Sequence, residues 1–345
     1  MNDLITFRLQ LTTMRKLFYL FLASAIILSC GSSEEKSDDK KSDKKDETKI
    51  EASTEKADTL YFNADYKNPY AGLSESDKKL FKQMLGDSLT AQMMIVNKSF
   101  DSISTHRQMF IYYRELNRFG HEVTIHLGDL NVSEEFNNMI VAEKTKKNET
   151  VEEYEQYSLP LDYILENLKP INNYLHGLNL SCMAECTEPH LDIYLNELKD
   201  KVKETEGEDD DQFFGFMITH FNGEVEPDIM SVSWFEPTWD LGGMSLLGSG
   251  VHTEFLQETD KMLEAKNMFS EYVKKYRGYC IDDASNWMSF AFDKEKVLKE
   301  LKTILKKVKL SSNEKDNIRN QIKIIEENTE EGYQFECKTK ECSWG

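Results

Sequence analysis

Val297, Leu301, Ile304 and Val308 fall at i, i+4, i+7 and i+11, the repeat of one buried helix face, and predict a helix over 294–309 with Asp293 as its cap. The same logic places a helix at 313–328 and a longer one at about 254–277, ended by Gly278. Earlier in the chain, Ser74 can cap a helix carrying Leu80, Phe81, Met84 and Leu85. Ser104 can cap another through Met109, Phe110 and Tyr113 that stops at Gly120, and Ser133 with Glu134 and Glu135 opens a third. Val123, Ile125 and Leu127 alternate with polar residues, which predicts a strand. Pro160, Pro170 and Pro189 punctuate short helical pieces, and Leu191 through Tyr194, Leu195 and Leu198 to Val202 has amphipathic helix spacing. Phe213–Phe221 and Asp228–Phe235 read as two strands joined around Asn222-Gly223. Trp287–Phe292 reads as a further strand, and 333–344 as a closing strand pair.

That order predicts an α+β protein: a helix-rich body with an antiparallel sheet in the C-terminal half. The acidic run Glu206-Gly207-Glu208-Asp209-Asp210-Asp211 repels itself and should stay in solvent. It divides a helix-rich half, 61–205, from an α+β half, 206–345, or tops a hairpin within one domain. No internal repeat is apparent.

The N-terminus is patterned differently. Arg15 and Lys16 precede the apolar run Leu17–Leu28, which is followed by Ser29-Cys30-Gly31, and this is the layout of a secretory signal. The run is shorter than the roughly 20 residues a membrane span needs. Ile27-Leu28-Ser29-Cys30 resembles the bacterial lipobox, in which the cysteine is lipidated on sulfur and becomes the new N-terminus. The resemblance implies that 1–29 are a lipoprotein signal peptide, with Met14 the better start than Met1, and that Cys30 carries acyl chains into the lipid bilayer. Residues 30–60 then form the lipidated tether. From Gly31 to Leu60 it holds ten acidic residues, seven lysines and no aromatic, too little apolar area to offset the entropy of ordering. Glu34-Glu35 and Asp38-Asp39 are similar to the acidic export signals of surface lipoproteins of the Bacteroidota, which implies an outer-membrane lipoprotein displayed at the surface. Asp58-Thr59-Leu60, Asp87-Ser88-Leu89 and Asp101-Ser102-Ile103 resemble O-glycosylation sites of the same group.

Composition narrows the partners. The chain of 345 residues carries 62 Asp+Glu against 42 Lys+Arg, a formal net charge of -20, and nearly all of that excess belongs to the body. Nucleic-acid binding needs a clustered basic surface, so no nucleic-acid partner is expected. The helix at 294–309 is a local exception with seven lysines, read as a solvated face that pairs with the acidic body or as a surface for anionic lipid headgroups or a partner's acidic face.

Apart from Cys30 there are five cysteines, Cys182, Cys186, Cys280, Cys337 and Cys342, and outside the cytoplasm two disulfides and one free thiol are the natural count. Cys337 and Cys342 flank Lys-Thr-Lys-Glu between strand-like pieces, where a local bridge is plausible. Cys182, Cys186 and His190 occur at four-residue steps, which also suits zinc, but Glu188-Pro189 interrupts a shared helix and no fourth ligand is evident. His121-Glu122-Val-Thr-Ile-His126 places its second histidine one residue late for a zinc-protease helix. No metal and no cofactor is therefore expected.

The candidate binding or catalytic region is 234–252. Trp234 and Trp239 can stack on sugar rings or apolar groups, and Glu236, Asp240 and His252 have the chemistry for acid–base work. The glycines at 242, 243, 248 and 250 permit close backbone approach, but Gly248-Ser249-Gly250 lacks the lysine of a phosphate loop and Gly243-Met244-Ser245 lacks the spacing of a nucleophile elbow. The expectation is a binding or assembly module of the cell envelope with an envelope protein partner. The alternatives are an envelope hydrolase acting through 234–252, with glycans among its substrates, and an acidic inhibitor or immunity-type protein that meets a basic target.

Overall fold

The computed structural model describes residues 70–147, 158–181, 189–221, 232–237, 243–327 and 332–337. Their order is α1 (Glu75–Met84), α2 (Gly86–Phe100), α3 (His106–Asn131), α4 (Glu134–Lys146), α5 (Leu159–Leu168), a 3-10 turn (Lys169–Asn173), β1 (Leu178–Ser181), β2 (His190–Ile193), α6 (Leu195–Val202), α7 (Asp209–His220), β3 (Phe235–Pro237), β4 (Gly243–Ser245), α8 (Val251–Glu264), α9 (Ser270–Asn286), α10 (Lys294–Lys307) and α11 (Ser312–Glu327). The fold is α+β and helix-rich, with two short antiparallel sheets in the C-terminal half, β1–β2 and β3–β4. Among the described residues no helix is long and apolar enough to cross a membrane.

Local chemistry sets several of these boundaries. The Ser74 hydroxyl accepts from the Asp77 N–H at 3.1 Å, Ser133 from Phe136 at 3.2 Å, and Asp293 from Lys296 at 2.9 Å, satisfying first-turn donors that a helix leaves unpaired. Thr105, one residue beyond the expected Ser104, caps α3.

α3 departs most from the sequence reading. It does not stop at Gly120, and Val123, Ile125 and Leu127 lie on it rather than on a strand. Val123 and Leu127 are i, i+4 on the buried stripe, whereas Ile125 is 52% exposed, so the apparent alternation is three positions sampled from a helix. Gly120 is an approach point. A β-carbon there would sit 3.4 Å from a Leu178 methyl, and β2 crosses nearby, with the Leu191 N–H donating to Thr124 Oγ1 at 3.1 Å.

The stretch expected as a strand over Phe213–Phe221 is also helical through His220, forming most of α7, with Phe221 its cap. Phe213, Phe214, Phe216, Met217 and His220 are all buried, so burial on several sides removes the periodicity that separates helix from strand. Of the acidic run, Glu206, Gly207 and Glu208 are exposed and outside the helix as expected, but the acids that follow are helical. Asp209, Asp210 and Asp211 occupy the first turn, where the helix dipole favours negative charge, Asp210 is buried and accepts from Thr205 Oγ1 at 2.6 Å, and Asp209 accepts from the Met268 N–H at 3.0 Å.

Other differences are smaller. The helix expected over 254–277 is two, α8 and α9, broken where Lys266 takes φ +55 and Asn267 turns the chain, its side chain accepting from the Phe269 N–H at 2.9 Å. Gly278 is interior to α9. The start of 191–202 is strand β2, with the helix beginning at Leu195. Trp287–Phe292 makes isolated bridges, Ser245 to Phe290 and Ser289 to Gln334, in place of a strand, and Gln334 is the only described part of the expected closing pair that bridges. Of Asp228–Phe235, residues 232–234 precede a strand that begins at Phe235, while 228–231 and the Asn222-Gly223 turn lie outside the described residues.

One apolar core runs through both halves. Tyr113 of α3 packs edge-on against Phe213 and Phe214 of α7 and shares a 3.0 Å hydroxyl contact with Tyr276 of α9. Burial pushes the Tyr276 phenol up to about 12 and the Tyr113 phenol well above its ordinary value. Because these folded-state values are raised, the stabilisation they carry is complete below the ordinary tyrosine value of about 10 and is lost as pH climbs above it. Unfolding free energy measured from pH 9 to 12 should fall, and Tyr276→Phe should flatten that fall.

Candidate functional site

The region singled out by sequence is split by its own packing. Trp234 is buried, its ring centre 4.3 Å from that of Phe255 and 5.8 Å from that of Phe221, so it is core rather than a stacking platform. Glu236 is exposed on β3, paired across the hairpin with Met244. Trp239 and Asp240 lie outside the described residues. His252, on the first turn of α8, is fully buried. Gly243 is fixed by contact, since a β-carbon there would meet the Phe235 ring at 2.0 Å.

His252 belongs to a closed polar cluster. Its Nε2 donates to Asp283 Oδ2 at 2.6 Å, and Ser245 Oγ donates to the same oxygen at 2.7 Å. Ser245 Oγ lies 3.4 Å from that same nitrogen, while His252 Nδ1 is buried without a hydrogen-bond partner. Serine and histidine thus both spend their protons on one carboxylate oxygen. The imidazole does not stand between nucleophile and acid, as a general base must, and Ser245 and His252 are sealed from solvent. The cluster pins β4, α8 and α9 together.

The glycine loop has a structural occupant. Gly248 and Gly250 have φ of +111 and +101, and their N–H groups donate to Glu300 Oε2 at 2.5 and 2.8 Å. Thr253 adds its N–H to Glu300 Oε1 at 3.1 Å. This is the geometry of an anion-binding loop at a helix N-terminus, filled by a carboxylate of the chain itself, which explains glycines without a following lysine. Glu300, Asp283 and Ser245 had no motif to announce them.

A second constellation lies at the end of α7. His220 Nδ1 is 3.1 Å from Ser233 Oγ, and its Nε2 is 2.9 Å from Glu258 Oε2 on α8. The Ser233 N–H donates to the His220 carbonyl at 2.7 Å, holding the segment before β3 against the helix end. His220 is buried between Phe216 and Phe255, Ser233 is partly exposed and the Glu258 side chain is 44% exposed. The hydrogen bond from His220 holds the Glu258 carboxyl below its usual range, against the opposing effect of burial. Ser233 sits one residue outside the interval chosen by sequence, and His220 and Glu258 are joined to it only by tertiary packing.

Of the cysteines, Cys280 is a free, buried thiol on α9 and takes no part in a bridge. Burial first, then the Asp283 and Glu300 carboxylates, pushes its pKa well above the ordinary thiol value, so it is an inert core residue. Cys337 is buried. Cys30, Cys182, Cys186 and Cys342 lie outside the described residues. His121 and His126 sit on α3 rather than a strand, and His126 Nε2 donates to the Met84 carbonyl at 2.7 Å. Among the described residues no three His, Cys, Asp or Glu side chains gather as a metal site would require. The lysines around α10 partly pair with acids: Lys302 with Glu326 at 2.6 Å, Lys296 with Asp293 at 2.8 Å and Lys309 with Glu264. Comparison with family models, curated proteins and solved structures found no match.

Proposed function

We propose that the chain is a lipoprotein held in the outer membrane by acylated Cys30, displayed at the surface, and that its body is a binding or assembly module of the cell envelope. The observation that carries this reading is the Arg15-to-Cys30 layout, with its basic start, apolar run and Ser29-Cys30-Gly31 ending, followed by an acidic tether. Each buried methylene of an acyl chain contributes about 0.8 kcal/mol, so several chains on one cysteine make a durable anchor. The body supports a binding role through an exposed apolar pair on one side of α3: Ile125, 52% exposed, and Val132 at its C-terminal end, 76% exposed and seven residues on. About two helical turns separate them, Val132 being the residue that caps the helix.

The test is a tagged pull-down from gently solubilised outer membranes, with palmitate labelling. The intact chain should take label and carry a partner at constant stoichiometry. Cys30→Ala should lose label and membrane sedimentation, and Ile125→Glu with Val132→Glu should keep the anchor and lose the partner. An unlabelled wild type would overturn the anchor, and a labelled protein recovered alone would overturn the assembly role.

A further inference from the structure

We propose that Ser233, His220 and Glu258 form a nucleophilic centre that cleaves carboxylic esters through an acyl-serine intermediate. This goes beyond the anchored-module reading and does not depend on it.

The argument starts from the proton inventory of one imidazole. A neutral histidine has one nitrogen that donates and one that accepts. Glu258, with its carboxyl held in the ionised form, only accepts, so His220 Nε2 carries the proton at 2.9 Å. Nδ1 is then the lone-pair nitrogen, and the hydroxyl 3.1 Å from it, that of Ser233, is the donor. This assignment follows from the hydrogen-bond network. It is the order a base-activated serine requires: hydroxyl to imidazole, imidazole to carboxylate, with the histidine in the middle. The buried Ser245, His252 and Asp283 cluster has the same three kinds of side chain in the other order and serves as an internal contrast. There the serine donates to the carboxylate, and the hydroxyl is fully buried. Around His220 the hydroxyl lies 3.1 Å from the base on a residue that is partly exposed, while Phe216 and Phe255 pack against the ring.

The chemistry balances with water alone. As Ser233 Oγ bonds to the ester carbonyl carbon, its proton passes to His220 Nδ1, and the resulting imidazolium is stabilised by the Glu258 carboxylate. The tetrahedral adduct collapses with loss of the alcohol, which leaves with that proton. Water then attacks the acyl-serine, gives its proton to Nδ1, and the acid departs as Ser233 recovers its hydrogen.

The experiment treats the full mature chain with a fluorophosphonate probe, locates the adduct by peptide mass spectrometry, and follows hydrolysis of p-nitrophenyl butyrate. The adduct should map to Ser233, and Ser233→Ala should abolish both label and turnover. Glu258→Gln, at a half-exposed position, should slow labelling by roughly 10²- to 10⁴-fold while its melting curve stays near wild type. A folded wild type that takes no label at Ser233 would overturn the proposal. So would hydrolysis that persists in Ser233→Ala, or labelling indifferent to Glu258→Gln, because a purely structural serine–histidine–glutamate contact changes melting behaviour and not reactivity.

Discussion

Glu300→Ala is expected to cost about 3–5 kcal/mol of unfolding free energy and to lower the melting temperature by on the order of 10 °C. The carboxylate is 5% exposed and is the acceptor for the N–H groups of Gly248, Gly250 and Thr253. Truncation leaves those donors facing a cavity, and an unsatisfied buried donor costs about 1–3 kcal/mol. The loop cannot relax freely, because Gly248 backs onto Phe292, whose β-carbon would lie 2.8 Å from any side chain placed there. Glu300→Gln separates charge from shape. The amide keeps one acceptor oxygen but turns an NH2 group toward donors on its other side, so it should lose less than alanine and still more than an exposed substitution. Urea and thermal unfolding of the two variants check this ranking. Equal and small losses for both would mean that the glycine loop holds its geometry without Glu300.

The glycine loop also shows where sequence reading stops. Its glycines were visible, and so was the absence of a phosphate-loop lysine, but the residue that explains them is 50 positions away from Gly250 on another helix. Local signals behaved differently. The caps at Ser74, Ser133 and Asp293 and the apolar stripe of α10 depend on residues within one or two turns, and each lies where the pattern put it. The errors share one cause. Val123 and Leu127 are buried on one face of α3 with Ile125 exposed between them, and α7 is buried on several sides, so in both a short apolar run imitates strand periodicity. Gly120 and Gly278 read as helix stops because glycine is a poor helix former, and Gly120 is retained where the β-sheet approaches the helix. The candidate site was legible only as a neighbourhood. Trp234 and His252 looked reactive by type, and burial assigns both to the core, while the serine with a base beside it, Ser233, drew no notice from spacing.

The second large effect should come from Arg277→Met. Arg277 is 6% exposed, donates to the Lys309 carbonyl at 2.9 Å, pairs with Glu314 and lies 3.6 Å from Asp260. One guanidinium thereby joins α8, α9, the turn after α10 and the start of α11, a task its planar fork of donors performs and a lysine ammonium does not. Removing one partner of a fully buried ionic cluster costs about 3–5 kcal/mol, chiefly because the remaining charges stay uncompensated, and here Arg277 is buried while the Asp260 and Glu314 side chains are 11% and 24% exposed. Asp260 retains the Lys309 N–H at 2.7 Å and Glu314 retains the Ser311 N–H at 2.7 Å, so the loss should fall at the lower end, about 3 kcal/mol. Arg277→Lys should recover only part of it. The deciding measurement is a double-mutant cycle: if the penalty is an uncompensated Glu314 charge, Arg277→Met with Glu314→Gln will be more stable than Arg277→Met alone. If instead the two losses add, the arginine acts through the Lys309 carbonyl and its own packing, and the ion pair contributes nothing measurable.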